Sequence, residues 1–180
     1  ASMYSVNNPD RETNSVKLSA DLALGAASLL TLGASWQGNE HTLRKAGGMT
    51  QAMADAYTGM PRVRDMETDI RGLYGELRHE LGAERRLIAG LRLDDWQADR
   101  YNNTSGAKLA DAGDTLKSGF LRFEQDIAGG TTAFVGLGHA ERPMDYWEAS
   151  TYNGLLAGLA LDPEKNTQLD AGLIWKRGDL

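Results

Sequence analysis

Apolar residues recur at every second position along much of the chain. Val16, Leu18, Ala20, Leu22 and Leu24 alternate with Lys17, Ser19 and Asp21. After Gly25-Ala26-Ala27 the pattern restarts, with Leu30, Leu32, Ala34 and Trp36 on one side and Thr31, Gly33, Ser35 and Gln37 on the other. The same alternation marks Leu73-Gly75-Leu77, Leu87-Ala89-Leu91-Leu93, Leu121-Phe123, Ala133-Val135-Leu137 and Leu169-Ala171-Leu173-Trp175. Successive side chains of a strand point to opposite faces, so each run has one apolar and one polar side. The pattern predicts an all-β fold: an antiparallel up-and-down meander of about seven strands, each of roughly ten residues, the length that crosses a bilayer as β-strand.

The connections carry further information. Short turns fall at Gly25–Ala27, near Leu81–Glu84 and at Ala128–Thr131, and long polar stretches at about Glu40–Glu67, Asn102–Asp114 and Arg142–Glu164. Short turns at one end and long loops at the other are the layout of an outer-membrane β-barrel. A soluble barrel or sandwich, binding an apolar ligand or a protein partner, can show the same alternation. The polar face favours the membrane barrel, because Arg92, Asp94, Arg122, Glu124 and Asp170 sit in mid-strand, where charges suit a wet lumen. Alternation places Leu30, Leu32, Ala34, Trp36, Leu87, Ala89, Leu91, Leu169, Leu173 and Trp175 on one convex face and those five charged residues on the concave one. In the first long connection Met49, Met53 and Met60 share a helical face, which predicts a short helix near 49–60.

Charge and composition narrow the picture. With 19 Lys and Arg against 25 Asp and Glu the formal charge is −6, which argues against nucleic-acid binding. There is no cysteine, hence no disulfide framework and no thiolate metal site. Glycine supplies 21 of 180 residues, well above the usual share of about 7%, as tight turns and close strand contacts require. Leu22 to Asn39 runs 18 residues without a charge, yet its period of two and its polar interior exclude a transmembrane helix. Asp10, Glu12 and Asp21 stand where a signal peptide would carry its basic and apolar regions.

Catalytic motifs are lacking. His41, His79 and His139 lie about 40 and 60 residues apart, none forms a short ligand pair, and no nucleophile elbow exists, so the chain does not read as an enzyme. His79, at a predicted turn, reads as a solvated polar residue. Gly136-Leu137-Gly138 begins like a dinucleotide fingerprint, but without a βαβ context the glycines read as small residues facing a crowded lumen. Arg177-Gly178-Asp179 reads as a turn, and the sequons within Asn102–Ser105 carry no weight without eukaryotic secretion. Met49, Met53, Met60 and Met66 fall within 18 residues of one loop. Thioethers are soft ligands that favour Cu(I), and imidazole suits copper in either state; the competing reading is an apolar packing face.

The C-terminal third carries a resemblance. Leu161-Asp162-Pro163-Glu164-Lys165-Asn166-Thr167 resembles the Pro-Glu-Lys-(Ser/Thr) strand entry of TonB-dependent outer-membrane receptors. Ala133 to Glu148 resembles the strand and loop preceding it, and Ala89-Gly90-Leu91-Arg92-Leu93-Asp94 their Gly-Leu-Arg-x-Asp strand. Asn39-Glu40-His41, Arg85–Asp94, Ser118–Asp126 and His139 with Tyr146-Trp147-Glu148 look closest to the TonB-dependent copper receptors. The resemblance, from about Asn7 to Leu180, implies a bacterial outer-membrane location, a 22-strand barrel closed by a plug, and energy supplied by the TonB complex. Its implied partners are membrane lipid, the rest of the barrel, the plug and, through it, TonB. Residues 1–180 are then expected to be part of the barrel, without plug, TonB box or C-terminal closing strand. The plug Cys/Met pair and barrel His-x-Met of that subfamily have no counterpart here. The resemblance implies no cofactor but copper or a metal chelate as transported substrate, with His41, Met49, Met53, Met60 and Met66 as candidate ligands at the loop mouth. Seven strands leave two unpaired edges, which hydrocarbon does not tolerate, so a curved sheet completed by further strands is expected.

Overall fold

The computed structural model describes residues 3–102, 105–146, 148 and 162–176. Seven strands pair strictly with their sequence neighbours in one antiparallel sheet that forms a half-barrel: β1 (Tyr4–Ala23), β2 (Ser28–Gly48), β3 (Val63–Glu80), β4 (Arg85–Tyr101), β5 (Lys108–Ile127), β6 (Thr131–Arg142) and β7 (Glu164–Trp175). A short helix, α1 (Gln51–Asp55), continues into a 3-10 turn (Ala56–Gly59). No helix among the described residues is long and apolar enough to cross a membrane.

The strand count agrees with the periodicity, but the lengths differ. The strands run for 12 to 21 residues, because the ladder continues above the apolar run through sequence with no apolar alternation. Backbone hydrogen bonds need no particular side chain, so strand with polar residues on both faces has no period to read. The long connections shrink accordingly. The first is 49–62, and the second only 102–107, a turn in which Asn102 N–H donates to the Ala107 carbonyl at 2.8 Å. The third runs from 143 to 163, most of it outside the described residues, as is Arg177-Gly178-Asp179. At the opposite end the turns are short. Gly25, with φ 78°, turns β1 into β2, and Gly130, with φ 73°, also abuts the Lys176 carbonyl, which a Cβ would meet at 2.8 Å.

Register decides the two faces. Leu30 pairs with Leu77, Leu77 with Ala89, Ala89 with Leu121, Leu121 with Leu137 and Leu137 with Leu169. All ten residues assigned to the apolar face lie on this outer side, and Leu91 and Leu169 are 76% and 73% exposed. The apolar run of β2 continues above that row to Trp36, whereas in β7 it starts there and descends to Trp175. The apolar band thus climbs by about one residue per strand, which at a rise of about 3.3 Å and a spacing of about 4.8 Å is a tilt of roughly 35–40°, as in transmembrane barrels.

Arg92, Asp94, Arg122, Glu124 and Asp170 occupy the inner face. They pair along and across strands: Arg92 Nε with Asp94 at 2.6 Å, Arg122 Nε with Glu124 at 2.7 Å, Arg86 with Glu124 at 2.9 Å and with Asp126 at 2.8 Å. Large inner side chains lie over glycines: the Tyr74 ring over Gly33, the Arg92–Asp94 pair over Gly72, Phe120 over Gly90 and Phe134 over Gly172. Gly136 and Gly138 also face inward, but a Cβ there would meet its nearest atoms at 3.5 Å and 3.7 Å, ordinary contact. The expected crowding is therefore real at other glycines and absent at these two. His79 also departs from its expected role, for it lies within β3 with Nδ1 2.8 Å from Ser28 Oγ.

Candidate functional site

The buried cluster of the molecule lies on the inner face near the long-loop end. It comprises Met66, Trp96, Ala98, Leu116, Met144 and Tyr146. Four of these come from β3, β4 and β5, and Met144 and Tyr146 come from residues 143–146 just after β6, which lie over the inner face like a strap.

A β-bulge builds the centre. His41 pairs with Met66, but the next residue, Thr42, pairs with Arg64, so Asp65 is the extra residue. In regular strand Asp65 and Met66 would face opposite sides; here both are buried, at 1% and 0% exposure. The bulge thereby turns a carboxylate inward beside a thioether. Tyr146 Oη donates to Asp65 Oδ2 at 2.7 Å, and Arg100 Nη2 lies 3.4 Å from Asp65 Oδ1. The Tyr146 ring also stacks on His41, with centroids 4.3 Å apart and planes 1° from parallel. Burial, reinforced by the Arg11 guanidinium and then by Arg100, holds the His41 pKa below its ordinary value despite Asp65 and Asp145. The imidazole is accordingly neutral near pH 7, the form that binds metal.

Arg142 fixes the base of the strap. Its Nη2 lies 2.9 Å from Glu148 and 2.7 Å from Glu164, its Nε 3.0 Å from Glu164, and its Nη1 also reaches Glu148 at 3.2 Å. Asp145 and Glu148 form a capping box, each carboxylate accepting the other's backbone N–H, at 2.7 and 2.8 Å. The Arg142 hydrogen bonds hold the Glu148 pKa below the usual carboxylate range. Between strap and sheet lies an open cavity of about 310 Å³, lined among others by Arg11, Asn39, His41, Trp96, Met144 and Tyr146.

The candidate ligands fall into two places. His41 and Met66 are register partners on the inner face, and Met144 joins Met66 in the buried cluster. Met49, Met53 and Met60 are exposed on the 49–62 connection, at 64%, 51% and 42%. The single helical face expected for these three is not formed, because the helix proper has five residues, and Met49 and Met60 flank it. Thr50 caps it, its Oγ1 accepting from Met53 N–H at 3.3 Å, and Gly47-Gly48 and Gly59-Met60-Pro61 prevent extension. Met53 folds back over Gly48, where a Cβ would meet its sulfur at 2.7 Å. Among the described residues no group of three or more His, Asp or Glu side chains is placed to hold a metal ion. Sequence reasoning did not single out Asp65, Trp96, Arg100 or Met144. The one local signal was the Asp-x-x-Glu spacing of Asp145 and Glu148.

Comparison with known proteins gives the fold its family. A family model described as TonB dependent receptor-like, beta-barrel, matches residues 2–180. The chain belongs to the TonB-dependent receptor β-barrel family. Among solved structures it is similar to the copper transporter OprC, at 34% identity and a TM-score of 0.79 over 97% of this chain and 29% of that one. The siderophore receptor PiuA from Acinetobacter baumannii matches at 14% identity and a TM-score of 0.59, covering 95% of this chain and 30% of that one, a likeness of fold alone. No curated protein matches the chain. The chain thus spans under a third of either structure's length. TonB-dependent receptors are outer-membrane β-barrels.

Proposed function

We propose that the chain forms the wall and loop mouth of a bacterial outer-membrane receptor that takes up copper, free or as a chelate, and is no enzyme. On this reading the remaining strands and a plug complete the barrel, and the plug couples it to the TonB complex. The observation that carries the substrate is the 34% identity to a copper transporter across nearly the whole chain, against 14% to the siderophore receptor. The donor set supports it. Thioethers select soft Cu(I) over Zn(II) or Ca(II), and a neutral, partly buried imidazole is a ready additional ligand. Exposed Met49, Met53 and Met60 would gather the ion loosely at the mouth, since ordering a loop opposes tight binding. His41 and Met66, one strand pair inward, would follow on the path to the lumen. Copper enters here as cargo, not as a resident cofactor.

The test is Cu(I) titration of the protein against a competing chelator, with Met49, Met53, Met60 and Met66 as methionine or as leucine. The leucine variant should bind fewer Cu(I) ions while keeping its folded gel mobility, and His41→Ala should remove a further increment. Unchanged stoichiometry in both would show that these residues only pack.

A further inference from the structure

The ladder between β5 and β6 stops short. Their register runs from Ile127–Thr131 up to Gly119–His139, while β5 continues to Lys108, paired with β4 alone. Above Gly119, side chains replace ladder bonds. Glu141 accepts the Lys117 backbone N–H at 2.8 Å, and Glu141 N–H donates to Ser118 Oγ at 3.4 Å. The wall therefore has a notch above the Gly119–His139 pair; the cavity of about 300 Å³ beside it lies on the inner face, lined mainly by inward-facing Ser118, Phe120, Gly138, Ala140, Asn166 and Gln168.

The outer rim of this notch is cationic, and its height is set by register. Leu121, Leu137 and Leu169 form the top apolar row of β5, β6 and β7. The next outward positions are Gly119, His139 and Thr167, and the ones after them Lys117, Glu141 and Lys165. Two lysines and a histidine thus surround one carboxylate, with Glu141 3.5 Å from His139 Nε2 and 3.8 Å from Lys165 Nζ. Glu141 accepts the Lys117 N–H bond and sits beside His139 and Lys165, and as a single carboxylate it offsets only one cation. Among the described residues the Lys117 ammonium has no acidic group within 4 Å, and Lys165 is 62% exposed. On β3 and β4 the first outward positions above the band are Arg71 and Asp95, with Asp69 one further up on β3 and engaging Arg71 at 2.8 Å, so that side carries two carboxylates to one cation.

We propose that this notch binds the phosphorylated headgroup of an outer-leaflet lipid, with Lys117 and Lys165 as phosphate ligands and the Leu121–Leu137–Leu169 row under the acyl chains. The fit is chemical and positional: ammonium groups at headgroup height and an apolar surface immediately below, at the point where the ladder opens. The proposal uses only the barrel's orientation in lipid and is independent of the cargo.

The experiment is native mass spectrometry of the full-length protein in detergent, titrated with bis-phosphorylated lipid A and with the same lipid enzymatically dephosphorylated. Each surface lysine contributes about a fivefold gain toward an anionic lipid, so Lys117→Gln with Lys165→Gln should weaken lipid A binding roughly 25-fold. The Lys117→Arg, Lys165→Arg pair should retain it, and heat-modifiable gel mobility verifies folding in each. Equal retention by the glutamine pair, equal binding of the dephosphorylated lipid, or loss in the arginine pair would overturn the assignment. So would displacement by millimolar inorganic phosphate, which would mark a general anion patch rather than a lipid site.

Discussion

Tyr146→Phe isolates the bond that holds the strap to the sheet. The phenol hydroxyl donates at 2.7 Å to Asp65, which is 1% exposed, while the ring lies on His41. Phenylalanine keeps the ring and its stacking but deletes one donor to a buried carboxylate whose ion pair with Arg100 is longer, at 3.4 Å. Losing a hydrogen bond to a buried charged group costs about 1.5–3 kcal/mol, and the bulge prevents Asp65 from turning outward to water. At about 2 kcal/mol the equilibrium for lifting the strap should shift by roughly 30-fold. Hydrogen exchange reads this directly, because the strap opens separately from the strand ladders. Amides of Asp145, Tyr146 and Glu148 should exchange about 30 times faster in Tyr146→Phe, while those of β3 and β4 keep their rates. Tyr146→Leu, which also removes the stack, should accelerate exchange further. Unchanged exchange at these three amides in Tyr146→Phe would refute the idea that Asp65 anchors the strap.

Acidification should act on the same contact: the depressed His41 pKa means that the unfolded segment binds the proton more readily, so strap stability is full above about pH 6.5 and declines as pH falls below it, a trend that hydrogen exchange should show and that His41→Gln should abolish. Leu91→Arg should cost about 2–4 kcal/mol of unfolding free energy in lipid, measured by denaturant titration in vesicles, because Leu91 faces the bilayer near mid-band. Gly72→Ala should destabilise by about 1–3 kcal/mol, since its methyl would enter the space of Asp94 and Arg92, whereas Gly136→Ala should be nearly neutral by the same measurement.

What the amino-acid sequence determined by itself was everything with a period. Leu87, Ala89, Leu91 and Leu93 alternate with Arg92 and Asp94 because a bilayer on one side and water on the other demand opposite chemistry every second residue. Strand number, the two faces and the short-turn end all followed from that demand, while the family resemblance rested on local motifs such as Pro163-Glu164-Lys165. Above the bilayer both faces of the sheet are wet, the demand disappears, and Asn39–Gly48 or Lys108–Asp114 form strand without announcing it. The sequence named His41 and Met66, but their assembly into a site was decided by tertiary structure. Met66 was legible as one of four methionines, but its separation from Met49, Met53 and Met60 depends on a bulge at Asp65, and no local signal marks which residue a ladder will leave unpaired. Tyr146 and Met144 reach it across a sequence separation of about 80 residues, through a bond between β3 and the strap that exists only once β4, β5 and β6 have curved the sheet beneath them. Local alternation is fixed by solvent at each residue, whereas a contact between distant segments is fixed by the register and curvature of everything between them.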